Sequence, residues 1–232
     1  FCQGLYYARI CDYNLGMLEI AFFDLDDTLY PKSSGYMQQI GINISRWVTE
    51  VLGYPPALAQ ATRKRWREQY GTALRGMMEE KIPFDREEFF RFVHDFSLDS
   101  MPPGPTVRNM LDNLPMRKSV LTNSNIEHAE RVLQHLQLRD CFEQIIDIKA
   151  LDYVNKPWPE AYHRALDMVG GVAPHKAMLI EDSTANTRTA KEMGMLTVLV
   201  DTPLSDDAHY FVDHVSQVGE LVAKISRKDA KA

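Results

Sequence analysis

The 232-residue chain offers little sulfur chemistry: its three cysteines, Cys2, Cys11 and Cys141, are odd in number, scattered, and form no Cys-x-x-Cys pair. That excludes a disulfide framework and a cysteine zinc site. It also lacks an apolar run of the roughly 18 residues needed to cross a bilayer. Arg9, Asp12 and Asn14 interrupt the first twenty residues, a pattern unlike the apolar stretch of a signal peptide. Positive charge is not in excess, since 26 Lys and Arg face 32 Asp and Glu for a net charge of −6. A polyanionic partner such as a nucleic acid polymer is therefore disfavoured, whereas a small anionic substrate fits if the local site is positive or metal-bearing. The expectation is a soluble, cytoplasmic protein with no membrane partner, a monomer or homodimer, long enough for one large domain or a domain with a smaller insert.

What the chain does have is concentrated in Ala-Phe-Phe-Asp-Leu-Asp-Asp-Thr-Leu-Tyr, residues 21–30. The apolar run Ile20 to Phe23 fits a buried parallel strand. It delivers Asp24 and Asp26 two residues apart, just past the strand's C-terminal end, where open α/β sheets bind ligands. Two carboxylates so close need a cation or a shared proton between them, and a divalent metal is the simpler solution. The plainer alternative is an acidic turn, Asp24, Asp26 and Asp27, capping a following helix.

Residues 1–16 show no clear period and precede Met17, which reads as the natural start, the leader being extraneous or poorly ordered. After Pro31 the spacing turns helical: helices are predicted over 35–52, 58–70, 72–80 and 86–96, with Asp85 and Glu88 as a capping box. About 70 residues of helix between two strands exceed an ordinary connection of about 2 to 6 residues. They imply a separate helical subdomain, 32–100, above the carboxylates. Beyond the proline-rich 101–105 the chain alternates. Strands are predicted at 119–122, 144–148, 177–180 and 196–201, and helices at 107–114, 126–136, 159–169 and 184–193. This is the pattern of an α/β, doubly wound, mainly parallel Rossmann-like core comprising 17–31 and 101–225. The basic tail, Lys224, Arg227, Lys228 and Lys231, reads as a solvated helix end.

Three later stretches carry chemistry. Val120-Leu-Thr-Asn-Ser-Asn125 ends a strand in polar groups. There Thr122 and the backbone amides around Asn123 could bond phosphoryl oxygens, with Ser124 or Asn125 capping the next helix. Asn155-Lys156-Pro157 delivers a cation that would neutralise substrate phosphate and Asp24. Met178-Leu-Ile-Glu-Asp-Ser-Thr-Ala-Asn186 adds Glu181 and Asp182, hard oxygen donors suited to Mg²⁺, with Asn186 placed to orient them.

Together the four stretches resemble the haloacid dehalogenase superfamily, whose motifs are Asp-x-Asp-x-Thr, a strand-terminal Thr or Ser, a Lys, and an acidic pair. The resemblance covers residues 19–201. It implies that Asp24 is the nucleophile of an aspartyl phosphate and that Asp26 protonates the leaving oxygen and later activates water. It further implies that the Asp24 carboxylate, the Asp26 carbonyl and Asp182 hold Mg²⁺, with Glu181 reaching the ion through water. Thr122 and Lys156 would hold the phosphoryl oxygens. The helical insert looks like a C1-type cap, and Glu68-Gln-Tyr-Gly-Thr-Ala-Leu-Arg-Gly76 is similar to that segment of pyrimidine 5′-nucleotidases. In that branch Tyr70 would stack on a base and Arg75 would meet ribose or phosphate. The expected activity is Mg²⁺-dependent hydrolysis of a small phosphorylated metabolite, a pyrimidine nucleoside 5′-monophosphate. A sugar-phosphate phosphatase or phosphomutase shares the core. A metal-free dehalogenase typically lacks the acid at position 26, and a non-catalytic phosphate-binding module would not need Asp24 and Lys156.

Overall fold

The computed structural model describes residues 18–101 and 104–229, and the leader assigned to residues 1–16 lies outside them. Six parallel strands form one sheet in the order β3-β2-β1-β4-β5-β6. These are β1 Ile20–Phe23, β2 Arg117–Leu121, β3 Gln144–Ile146, β4 Ala177–Glu181, β5 Leu196–Val200 and β6 Tyr210–Val212. The chain runs outward from β1 through β2 to β3, then crosses to the other side of β1 to lay down β4. That reversal of direction is the switch point at which open sheets hold ligands.

Register turns this topology into a site. Phe23 stands opposite Val120 on one side and Ile180 on the other, and the Asp24 amide continues the ladder by donating to the Ile180 carbonyl at 2.9 Å. Asp24, Thr122 and the Glu181-Asp182 pair therefore emerge along one rim. Every residue of β1 and β4 is buried, so their side chains alternate between two cores. Ala21, Phe23, Met178 and Ile180 pack with α5 Pro105–Asp112, α6 Ile126–His135 and α9 Val218–Asp229. Ile20, Phe22 and Leu179 pack with α7 Pro159–Met168 and α8 Thr184–Glu192.

Four helices lie between β1 and α5: α1 Tyr36–Glu50, α2 Pro56–Tyr70, α3 Ala73–Glu79 and α4 Arg86–Val93. They close on their own apolar cluster around Trp47, Trp66, Met77, Phe89 and Phe90. Gly76 permits the tightest contact there, since a Cβ on it would sit 2.2 Å from the Trp66 ring. The two ends of the insertion meet where the Tyr36 and Ser100 hydroxyls bond at 2.7 Å. Lys149 joins it to the sheet layer by bonding Glu87 of α4 at 2.7 Å and Glu127 of α6 at 3.0 Å.

Three sequence expectations are corrected. The sheet has a sixth strand, β6, whose three residues are too short for an alternation signal. Helix α4 stops at Val93 rather than 96, because Arg131 bonds the carbonyls of His94 and Phe96 and so replaces a further helical turn. Neither Ser124 nor Asn125 caps α6: the Ile126 amide donates to Asp147 Oδ2 at 2.8 Å. At the start of α4, Asp85 does accept from the Glu88 amide at 2.8 Å.

Candidate active site

At the rim the Lys156 ammonium is buried and donates three bonds of 2.7 Å, to Asp24 Oδ1, Glu181 Oε2 and the Leu121 carbonyl. Two carboxylates thus share one ammonium. Burial, reinforced by Glu181 and opposed by Lys156, raises Asp24 to about 7. Burial likewise raises Glu181 to about 7, against the pull of Lys156 and with the push of Asp182. Lys156 shows the reciprocal effect: burial disfavours its charge, but Asp24 and Glu181 outweigh burial and lift it above the ordinary lysine value. The other Glu181 oxygen accepts from the amides of Asp182 and Ser183, both at 3.2 Å.

Asp182 is raised to about 6 by burial and Asp24, with the Lys32 ammonium 3.3 Å from its carboxylate. Carboxylate oxygens of Asp24, Glu181 and Asp182 all lie within 4.8 Å of one another. This cluster is short of positive charge, and its hard oxygen donors suit a divalent cation. Asn186 is near but makes no hydrogen bond to Glu181 or Asp182, and its carbonyl accepts from Tyr162 instead.

Asp26 has different company. Its Oδ1 accepts from the Tyr30 hydroxyl at 2.7 Å and meets His128 Nε2 at 2.9 Å, while its Oδ2 accepts from the Ser124 hydroxyl at 2.7 Å. Burial alone would raise this carboxyl, yet His128, Ser124 and Tyr30 prevail and hold it well below the usual range. Asp27, in the left-handed region, is raised to about 6 by burial and Asp26.

Thr122 is buried, and its hydroxyl oxygen accepts the Ser124 amide at 3.0 Å. The Asn123 side chain is spent on the lysine turn. Its Oδ1 accepts the Lys156 amide at 2.8 Å and its Nδ2 donates to the Lys156 carbonyl at 3.0 Å. The contact expected at Asn123 is from the backbone amides around it, and this side chain is committed to the turn.

Above the rim lies a cavity of about 720 Å³, bounded by the rim and by α1 to α4, within the roughly 300–1,000 Å³ usual for small-molecule sites. Asp24, Asp26, Thr122, Asn123, Lys156, Glu181, Asp182 and Asn186 all line it. Tyr70 lines it too, and its carbonyl accepts from Asn155 Nδ2 at 3.1 Å and Trp158 Nε1 at 3.4 Å. Arg75 is not on this wall. Its amide is capped by Thr72 and its guanidinium pairs with Glu79 at 2.6 Å, one turn along α3. Arg67, in the last turn of α2, lines the cavity instead, and its guanidinium has no hydrogen-bond or ion-pair partner among the described residues.

The sequence reading missed Arg67, Lys32, Trp158 and His128. Only His128 carried a usable signal, a polar ring in the first turn of a helix that starts at the rim.

Comparison with known proteins identifies the family and the fold. The model of the haloacid dehalogenase-like hydrolases matches residues 18–194. The chain is similar to phosphate metabolism protein 8 of Saccharomyces cerevisiae, at 28% identity over 76% of this chain, and spans 60% of that relative's length. Among solved structures it is similar to a HAD phosphatase from Thermococcus onnurineus, with a TM-score of 0.62, 16% identity, and 88% of this chain and 98% of the other covered. It is also similar to β-phosphoglucomutase from Clostridium difficile, with a TM-score of 0.60, 18% identity, and 93% and 100% covered. Identities that low speak for the fold alone, but the family match spans well over half of the sequence. On that match, the chain belongs to the haloacid dehalogenase-like hydrolases.

Proposed function

We propose that this hydrolase is a phosphomonoesterase working through an aspartyl phosphate on Asp24, with pyrimidine nucleoside 5′-monophosphates as its substrates. The observation that carries the reading is the sharing of buried Lys156 between Asp24 and Glu181 beneath a ligand-sized cavity. Such a lysine fixes the nucleophile's carboxylate and presents positive charge where phosphoryl oxygens gather negative charge. In the first step an Asp24 oxygen bonds to phosphorus, the ester P–O bond breaks, and the leaving oxygen takes a proton from Asp26, which is ionised in the free site and takes up that proton from solvent as the anionic substrate enters. In the second, Asp26 draws a proton from water, whose oxygen attacks phosphorus and releases phosphate and free Asp24. The Thr122 hydroxyl and the Lys156 ammonium orient the phosphoryl oxygens.

The charge-deficient cluster fits Mg²⁺, which Asp24, the Asp26 carbonyl and Asp182 would hold and which would neutralise phosphoryl charge. On this reading residues 32–100 form the cap over the site. Tyr70, Trp158, Phe89 and Phe90 bring aromatic rings to the cavity lining, suited to a flat base, and Arg67 brings a cation to the same lining.

The test is phosphate release from UMP, CMP, AMP, GMP and several sugar phosphates, with Mg²⁺ and with EDTA, for wild type and Asp24→Asn. Expected is metal-dependent release that is lost in the variant and greatest for UMP and CMP. Efficient cleavage of sugar phosphates without UMP or CMP would refute the nucleotidase assignment. No release from any ester would refute the phosphatase.

A further inference from the structure

A column of rings descends from the insertion to the acid/base position. Phe90 and His94 of the insertion stack at 6.1 Å and 8°. His94 lies face to face on His128 of α6 at 4.0 Å and 13°. His128 Nε2 then ends on Asp26 Oδ1 at 2.9 Å. Phe90 and His94 line the cavity, whereas His128 is 2% exposed. The Nδ1 atoms of both histidines are buried without a hydrogen-bond partner. A histidine kept only for packing or capping would satisfy both nitrogens or give way to an apolar ring. For His128 the one hydrogen bond retained is the contact to Asp26, while His94 has the Asn125 side chain as a polar neighbour.

We infer that His128 is a positioning residue for Asp26, and that His94 fixes the His128 ring from the insertion, so that the seating of the insertion sets the aim of Asp26. The inference rests on the proposed role of Asp26 in proton transfer. A carboxylate bonded by Tyr30, Ser124 and His128 has one orientation. Tyr30 meets the insertion only through the edge of the Tyr36 ring, at 5.9 Å and 80°, whereas His128 is the one of the three stacked face to face on an insertion ring. A ligand that presses on Phe90 and His94 acts on the same column that orients Asp26. Outer contacts of this kind change rates by about 10- to 100-fold when removed.

Two substitutions separate the parts of the device. His128→Phe keeps a ring on His94 but removes the nitrogen, and His128→Gln keeps a donor of similar reach but removes the stack. Each is assayed against UMP, whose alkoxide leaving group needs a proton, and p-nitrophenyl phosphate, whose leaving group does not. Melting temperature and circular dichroism serve as controls for folding. Expected for His128→Phe is a fall in kcat of about 10-fold or more on UMP with KM little changed, and a much smaller fall on p-nitrophenyl phosphate. His128→Gln, which restores the donor without the stack, should recover part of the UMP rate. His94→Ala should reproduce part of the UMP-selective loss, and His94→Phe, which restores the stack, should not.

Equal losses on both esters, or none, in His128→Phe would overturn the positioning role. A UMP-selective loss in His128→Phe with wild-type behaviour in His94→Ala would overturn the link to the insertion. Asp26→Asn is run in parallel. If it is UMP-selective while His128→Phe is not, this inference alone fails; if it is not selective, the assignment of Asp26 fails and carries the inference with it.

Discussion

At the scale of the residue, Lys156 is the group on which the others depend. A buried ammonium is tolerable only when paired, and this one has two carboxylates and a carbonyl within 2.7 Å. Removing it leaves Asp24 and Glu181 buried and unpaired, whereas removing Glu181 leaves an intact Lys156–Asp24 pair. Lys156→Met should therefore lower unfolding free energy by about 3–5 kcal/mol, the usual cost of breaking a buried pair. Glu181→Gln should cost distinctly less while still reducing activity, because Lys156 loses one anchor. Denaturant titration of both variants at neutral pH checks the order, and a Glu181→Gln loss equal to that of Lys156→Met would contradict it. Asn123 belongs to the same argument, since the sequence points to the backbone amides around it and says nothing of its side chain, which fastens the lysine turn from both sides. Its partner is 33 residues away, and single-residue chemistry gives no hint of which distant backbone an amide will find.

Elements explain what was legible and what was not. Strands β1 and β4 could be read because residues buried on both faces form unbroken apolar runs, and carboxylates at their ends then stand out. His128 could not be read in the same way, since its contact to Asp26 spans 102 residues. Arg75 and Arg67 differ by helical phase: the Thr72 cap turns Arg75 along α3 toward Glu79, and the last turn of α2 faces the cavity.

Gly71, which ends α2, has φ of +84°, and a Cβ there would sit 2.6 Å from Asn155 Nδ2 and 3.2 Å from the Lys156 carbonyl. Gly71→Ala should cost at least about 1 kcal/mol through backbone strain and lower activity by displacing α2 from the lysine turn. Wild-type activity in that variant would show the contact to be dispensable. Just before β6, His209 accepts the Thr197 amide on Nδ1 at 3.2 Å, which requires the neutral ring. Burial, with Lys191 nearby, lowers His209 to about 4. The folded state then binds fewer protons than the unfolded state between that value and the ordinary histidine pKa of about 6.5, so this contribution to stability is present above pH 6.5 and lost as pH falls toward 4. The difference in stability between wild type and His209→Gln should shrink across that window, and a difference independent of pH would disprove the assignment.

For the whole molecule, the division of labour follows from where charge and apolar surface were placed. The two cores beside the sheet and the third inside the insertion are joined at their edges, since Tyr36 and Leu98 of the insertion enter the first and Ile148 of the sheet layer enters the third. Polar contacts cross between insertion and sheet layer beside the ring contacts of His94 and Phe96 with His128: Lys149 with Glu87 and Glu127, Arg131 with two carbonyls, and Asn155 with the Tyr70 carbonyl. The insertion was visible in the sequence as helix-period spacing too long for a connection. Its side of the cavity was not, because which face of each helix looks onto the rim depends on packing between elements. The rim itself concentrates Asp24, Glu181 and Asp182 around a single buried ammonium, leaving negative charge uncompensated. A divalent cation bound there would stabilise the folded state alone, by about 2.7 kcal/mol when its concentration is 100 times Kd. For a chain of this size that corresponds to a rise in Tm of roughly 5–10 °C. Thermal melting with EDTA and with increasing Mg²⁺ should show this rise in the wild type and little of it in Asp182→Asn. Melting curves of the wild type that do not respond to Mg²⁺ would mean that the cluster relieves its charge by taking up protons instead.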